Sequence, residues 1–312
     1  MKGERLAAKT FRPILIAGPT ASGKSGAALR LAEELGGSVI NADSMQVYRE
    51  LFVLTARPSA EEQRRVPHLL YGHVPAAEPY SVGRWLSDAA TALRDENEAG
   101  RQPILVGGTG LYFRALTEGL APVPDILPEM RAHWRAEAKR LGREGIYRVL
   151  VERDPIMAGR LAAADPQRVV RALEVLEATG VSLAEWQGGN AAPVLGQSEP
   201  LKLLITPERE PLYAAIDARF DKMLAQGALE EVRRLAALKL DPGLPAMRAH
   251  GVPHLIVHLA GRLGLEEAAA KSKADVRHYA KRQMTWARRF MGDWLWVPDS
   301  ESAVAAVLNP SP

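Results

Sequence analysis

GPTASGKS, residues 18–25, lies where an apolar run (PILIA, 13–17) gives way to a helical pattern (26–35). Strand, glycine-rich turn, Lys-Ser and helix in that order spell a P-loop. Gly18 and Gly23 let the backbone curl, so that the N–H groups of the loop, which also holds Pro19, Thr20, Ala21 and Ser22, point inward at a phosphate. The following helix adds its positive end and Lys24 a full charge. Ser25 is placed to offer its hydroxyl to a magnesium ion carried on the phosphate. The expected ligand is a di- or triphosphate; the reaction is not named by this loop alone.

Outward from the loop, short apolar runs alternate with helical stretches: SVINA (38–42), a helix through Trp85 to Glu98, then PILVGG (103–108). This alternation predicts an α/β fold, a P-loop NTPase-like core with a parallel sheet and its function at the carboxyl ends of the strands. Prolines 122, 124 and 128 open a segment that reads as helical to Gly188, and the loop GGNAAPVLGQSEP (188–200) closes it before LKLLIT (201–206) returns as a strand. The organisation expected is a core from 1–121 and 200–312, ending in basic helices, with an inserted helical subdomain at 122–199. The tail after Pro298 reads as poorly ordered.

Composition narrows the class. The 312 residues are 47% hydrophobic and 25% charged, the balance of a globular protein. Net charge is only +3, yet Lys and Arg concentrate at 131–148 and 271–289, which suggests a polyanionic partner, with solvated helix faces as the plainer explanation of either cluster. With no Cys, disulfides, thiolate metal sites and cysteine nucleophiles are excluded. The first dozen residues carry Lys2, Arg5, Lys9 and Arg12 without an apolar core, and no apolar run approaches 20 residues, so a cytoplasmic protein with no membrane partner is expected.

Three strand ends carry the candidate chemistry. Asp43, in NADSMQVY, follows the second strand, where its carboxylate would face the phosphate loop as a general base; a helix cap is the simpler alternative. The next long strand ends in GGTG rather than in the metal-binding acid of P-loop ATPases, which argues against a motor. Thr109, between those glycines, places a hydroxyl beside the same phosphate, or simply completes a tight turn. Arg219, in DARFDKM, is positioned to neutralise a departing pyrophosphate. In DPQRVVRALEV (165–175), Gln167, Arg168 and Arg171 fall on adjacent turns of a helix start, suited to base edges and phosphates or to an ordinary solvated end. VRHYAKRQMTWARRF (276–290) sets Arg277, Lys281 and Arg288 on one face, a candidate nucleic-acid track, and Val276, Tyr279, Ala280, Gln283, Trp286 and Phe290 on another, which reads as core. His68, His73, His250, His254, His258 and His278 lack metal-ligand spacing and read as surface or packing residues.

Taken together, GPTASGKS, NADSMQVYRE, ILVGGTGLYFRAL, DPQRVVRALEV and YAKRQMTWAR resemble the tRNA dimethylallyltransferases, from about Pro13 to Arg289. The resemblance implies transfer of a dimethylallyl group from dimethylallyl diphosphate to the adenine beside the anticodon, on a P-loop-kinase-like core whose helical insertion closes on the tRNA. It implies that residues 18–25 hold the diphosphate with Mg²⁺ on Ser25, that Asp43 is the base, that Thr109 assists it and touches tRNA, and that Arg219 is the pyrophosphate-side arginine. It places tRNA contacts at Asp43, Ser44, Met45 and Gln46, at Arg131, at Gln167, Arg168, Val169, Val170 and Arg171, and at Arg277, Lys281 and Arg282. It suggests a monomer with no obligate protein partner. Departures from the family pattern are the single His, His68, ahead of LLYGH in VPHLLYGH (66–73), together with Leu54, Arg57, Ala215 and MRAHGVPHL (247–255). Two other classes share parts of the pattern: a small-molecule kinase, which would leave the basic C-terminal helix without a role, and a nucleic-acid-binding ATPase, which would need an acid after ILVGG.

Overall fold

A computed structural model describes residues 11–163, 165–189, 192–196 and 198–309. Lys2, Arg5 and Lys9, and Asn190, Ala191 and Gln197 of the small-residue loop, lie outside the described residues.

Six strands, β1 (Ile14–Ala17), β2 (Gly37–Asn41), β3 (His68–Leu69), β4 (Gln102–Gly107), β5 (Leu201–Ile205) and β6 (Leu295–Val297), form one sheet in the order β3-β2-β4-β1-β5-β6. Every pairing is parallel. Ile14 to Ala17 are all buried, as a strand covered on both faces requires, which is why this run is continuously apolar instead of alternating. β1 lies between β4 and β5, with Ala17 opposite Gly107 on one side and Leu204 on the other. The carboxyl ends of β1, β4 and β2 therefore open side by side on one edge, and the loops that leave them build the site.

The helices are α1 (Lys24–Leu35), α2 (Ala60–Arg65), α3 (Val82–Glu98), α4 (Gly110–Glu118), α5 (Pro128–Arg153), α6 (Pro155–Ala158), α7 (Pro166–Thr179), α8 (Leu183–Trp186), α9 (Arg209–Ala225), α10 (Ala228–Ala237), α11 (Val252–Leu259), α12 (Leu265–Phe290) and α13 (Ser300–Leu308). Gly23 takes φ 83° immediately before α1, a left-handed turn that a side chain would strain, and this is what aims the helix start back at the loop. Ser81 caps α3 through Arg84 N–H, and Trp85, fully buried one turn on, donates Nε1–H to Asn41 O at 2.8 Å. Trp85 stacks on Tyr112 of α4 at 4.3 Å, so one side chain ties α3 to the ends of both β2 and β4.

The chain divides into two compact units, the described residues up to Leu116 with those from Leu195 onward, and Thr117–Val194. The second unit is helical. Its core gathers Trp134, Ile146 and Leu150 of α5, Met157 of α6 and Val169, Leu173 and Val175 of α7. α5 bends at Gly142, which adopts φ 69°.

The segment after Pro298 departs from expectation. Asp299 accepts a hydrogen bond from Ser302 N–H and starts α13, whose Ala303 and Val304 are buried with Leu31 and Val297 in the core beneath α1. A capping aspartate ahead of SESAVAAVL is a helix signal that the nearness of the chain end obscured. Also unread in the sequence is β3, two residues long and below the reach of any periodicity.

Candidate active site

The loop leaving β1 places Lys24 at the first position of α1, where it donates from Nζ to Pro19 O at 3.0 Å. Arg219, projecting from α9, donates to the Thr20 hydroxyl. Burial, reinforced by the neighbouring Arg219 and opposed by Asp43, pushes the Lys24 ammonium down to about 8, and burial likewise lowers Arg219. Lys24 of α1 and Arg219 of α9 thus meet at the loop, and each carries a desolvation cost that a bound anion would offset.

Asp43 stands across from this loop. Asn41, buried at the end of β2, shapes the turn. Its Oδ1 accepts from Asp43 N–H at 2.8 Å, and its Nδ2 donates to Asp43 O and Leu70 O, both at 3.0 Å. Asp43 Oδ1 accepts from Met45 N–H at 2.9 Å, which orients the carboxylate and turns Oδ2 toward Gly108. The Asp43 charge is felt throughout the site. It supports the charged forms of Lys24, Arg219 and His250, and it joins burial in raising the phenols of Tyr71, Tyr112 and Tyr279. Asp43 thus caps its own turn through Met45 N–H and is at the same time the shared neighbour of two cations and three phenols.

Thr109, after β4, is more than a tight turn. Its Oγ1 accepts from Ser44 N–H at 2.9 Å and its own N–H donates to Ala42 O at 3.3 Å, so it stitches the β4 end to the Asp43 turn. A Cβ on Gly108 would occupy the place of the Gln283 amide, which would have to move, and would touch Asp43 Oδ2 at ordinary contact distance.

Two cavities meet at this point. The first, about 300 Å³, is walled by Leu111, Phe113, Leu204, Trp286 and Met291 around Gly18, Pro19 and Thr109. The second, about 290 Å³, is lined by Thr20, Asp43, Arg219, Arg248 and His250, with apolar Leu54, Ile216, Phe220 and Val276. Ser44, Tyr279 and Arg282 belong to both. Leu54 is held in the second wall by buried Glu231, whose carboxylate accepts the N–H groups of Phe52, Val53 and Leu54 at 2.7, 2.7 and 3.0 Å.

Helix α12 corrects the sequence reading of its aromatic stripe. Val276 and Ala280 are core, packed with Leu212 and Ile216 of α9, but Tyr279, Gln283 and Trp286 line the first cavity. Gln283 Oε1 accepts from Thr20 N–H at 3.0 Å and its Nε2 donates to Gly108 O at 2.8 Å. His250, read from the sequence as a surface or packing residue, is a packing residue. It packs at 4.7 Å on the Tyr279 ring in the second cavity, and burial together with Arg282 lowers its imidazole pKa.

Known proteins share this arrangement of sequence and fold. A family model described as IPP transferase matches residues 46–290, and one described as Isopentenyl transferase matches 12–70. The chain is 53% identical over 300 residues to the tRNA dimethylallyltransferase of Nitrobacter hamburgensis, covering 96% of this chain and 95% of that one. The chain belongs to the IPP transferase family. A solved tRNA isopentenylpyrophosphate transferase from Bacillus halodurans superposes with a TM-score of 0.68 at 31% identity, over 95% of this chain and 94% of that one. A eukaryotic dimethylallyltransferase acting on tRNA gives 0.79 at 28% identity, over 96% and 76% of the two chains.

Within this IPP transferase the sequence-marked residues separate. Thr20, Lys24, Asp43, Ser44, Thr109, Arg219 and Arg282 converge in the first unit. Ser25 is exposed one residue into α1. Gln46 turns its amide to Thr55 O and Ala56 O, at 2.8 and 3.1 Å. Arg277 is engaged by Asp217 through two hydrogen bonds, one of 2.7 Å, while Lys281 and Arg288 remain exposed on α12. In the second unit Gln167 and Arg168 are exposed at the start of α7 and Arg171 is partly so, next to Glu174. The side chains of Val169 and Val170 are 0% and 9% exposed in that unit's core. Their expected contact role is corrected accordingly: on a helix they point opposite to Gln167 and Arg168. Arg131, on the same unit, is partly buried, and its Nε–H has no acceptor among the described residues.

Proposed function

We propose that the protein transfers a dimethylallyl group from dimethylallyl diphosphate to the exocyclic N6 of the adenosine 3′-adjacent to the anticodon of tRNA, releasing pyrophosphate. The observation that carries this reading is that Asp43 lines one of two cavities that share Ser44, Tyr279 and Arg282, within electrostatic reach of Lys24 on the phosphate loop. The apolar cavity with Trp286, Phe113 and Met291 suits a five-carbon chain, and the cavity with Arg248 and His250 suits a nucleotide.

The allylic C–O bond breaks with its electron pair leaving on the diphosphate. Charge therefore grows on oxygens that the loop N–H groups, Lys24 and Arg219 face, and stabilisation there lowers the barrier. The new C–N bond forms from an amine whose lone pair is delocalised into the adenine ring. That nitrogen becomes nucleophilic as its proton passes to Asp43 Oδ2, while Thr109 keeps the Asp43–Ser44 turn in place. The base reaches the crevice only by leaving its stack, at a cost of a few kcal/mol. Contacts to RNA from Lys281, Arg282, and Gln167, Arg168, Arg171 and Arg131 of the Thr117–Val194 unit would offset that cost.

Among the described residues no three His, Cys, Asp or Glu side chains gather as a metal cluster. A lone hydroxyl at Ser25 fits Mg²⁺ that arrives on diphosphate oxygens and keeps its waters. Ser25 would hold the ion, which when bound would supply further charge neutralisation to the leaving group. No helix among the described residues is long and apolar enough to cross a membrane, and a cytoplasmic protein that acts without an obligate protein partner is the accompanying reading.

The test is incubation with bulk tRNA, dimethylallyl diphosphate and Mg²⁺ followed by mass spectrometry of nucleosides. A prenylated adenosine is expected. Its absence, with γ-phosphate transfer from ATP to a small molecule instead, would overturn the reading.

A further inference from the structure

We propose that Gln283 is a positioning residue that sets the distance between the phosphate loop and the Asp43–Thr109 turn. The inference rests on the function proposed above, and it concerns a side chain that reading the sequence assigns to the core. The paired strands β1 and β4 end at Ala17 and Gly107, opposite one another. Beyond them the two loops are joined by one amide, whose Oε1 takes Thr20 N–H at 3.0 Å and whose Nε2 gives to Gly108 O at 2.8 Å. Residues 263 and 175 positions apart from Gln283 are thereby clamped from α12.

Chemistry restricts what can fill this place. The clamp needs an acceptor on one side and a donor on the other, at the length of a glutamine, which a primary amide alone among the side chains of that size provides. Glutamate can accept from Thr20 N–H but cannot donate to Gly108 O, methionine does neither, and asparagine is a methylene short. The surroundings are built to this amide. Gly108 lacks a Cβ where Gln283 Nε2 stands, and the Tyr279 hydroxyl, one turn earlier on α12, faces both Thr109 and Gln283. Thr20 N–H is committed to the clamp, so the anion rests on the later N–H groups of the loop, Lys24 and Arg219. Gln283 thus does not bind the diphosphate. It fixes where the leaving group's carbon lies relative to the base, a quantity to which rates respond steeply: displacement of about 1 Å costs on the order of 10²-fold.

The experiment compares Gln283→Met and Gln283→Glu with the unaltered protein in single-turnover transfer to an anticodon stem-loop RNA at saturating substrates, with separate measurement of pyrophosphate and RNA affinity. For Gln283→Met the transfer rate is expected to fall about 10- to 100-fold, while both affinities stay within about 3-fold. Gln283→Glu is expected to lose at least about 10-fold in pyrophosphate affinity as well, because a carboxylate then stands beside the anion. A Met variant that transfers at the unaltered rate overturns the proposal. So does, in the Met variant, a fall in rate matched by an equal fall in pyrophosphate affinity, or a loss of RNA affinity with the saturated rate unchanged, since these describe a binding residue. Should the unaltered protein form no prenylated RNA, the function itself fails, a result distinct from any of these.

Discussion

The Lys24 ammonium is the group whose pH response can be worked out from the structure. Burial brings its pKa from 10.5 to about 8 in the diphosphate-free protein. If the anion binds the protonated form, apparent Kd scales as 1 + 10^(pH − 8), so affinity is nearly flat below neutrality and falls about 10-fold between pH 7 and pH 9. The sign follows from the direction of the shift. A lysine with a lowered pKa is charged below about 8 and loses its charge as pH rises through that value, taking anion affinity with it. An unperturbed lysine would change affinity by only a few per cent over the same interval, roughly 1.03-fold. Pyrophosphate binding should be measured by calorimetry at pH 7, 8 and 9 at fixed ionic strength, alongside Lys24→Arg, which stays charged throughout. The ratio of the two affinities cancels the ligand's own titration. A ratio rising about 10-fold toward alkaline pH is expected, with proton uptake on binding above pH 8. A ratio that stays constant would refute the buried, depressed lysine.

Gly108→Ala should change stability by no more than about 1 kcal/mol yet depress transfer on the order of 10²-fold, because the new Cβ displaces the Gln283 amide from its clamp. Denaturant unfolding and single-turnover rates on the same preparation separate the two effects, and a rate within two-fold of the unaltered protein would contradict the geometry. Neutralising Lys281 and Arg288, both exposed on α12, should weaken RNA binding and lower the slope of log affinity against log salt by about 0.7 for every phosphate no longer neutralised. Arg277→Gln should change that slope little, because Asp217 already holds its guanidinium.

What was legible in the sequence was what short-range chemistry determines. The P-loop needs eight consecutive residues, and the strand before it and helix after it are visible in the same window. Asp43 and Thr109 were marked because they follow apolar strands, where α/β sheets place ligands. Gln283 and Tyr279 were not, because a helix face that lines a cavity has the same 3.6-residue periodicity as one that lines a core. Only the pairing of Gln283 with Thr20, across 263 positions, tells them apart. Asn41 carried no signal beyond its turn propensity, although it holds both sides of the Asp43 turn. His250 could have been flagged as the polar departure in MRAHGVPHL, a stretch that now proves to wall the second cavity. Val169 and Val170 share a motif with Gln167 and Arg168, but their apolar character points inward, and they are buried.

On the function proposed above, prenyl transfer turns on Asp43 as the proton acceptor. Asp43→Asn retains the shape and the acceptor for Met45 N–H but cannot take a proton at neutral pH. Single-turnover transfer to the stem-loop RNA, with pyrophosphate and RNA affinities measured in parallel, should show a rate lower by roughly 10²- to 10⁴-fold and affinities largely kept. Transfer at the unaltered rate would contradict that role.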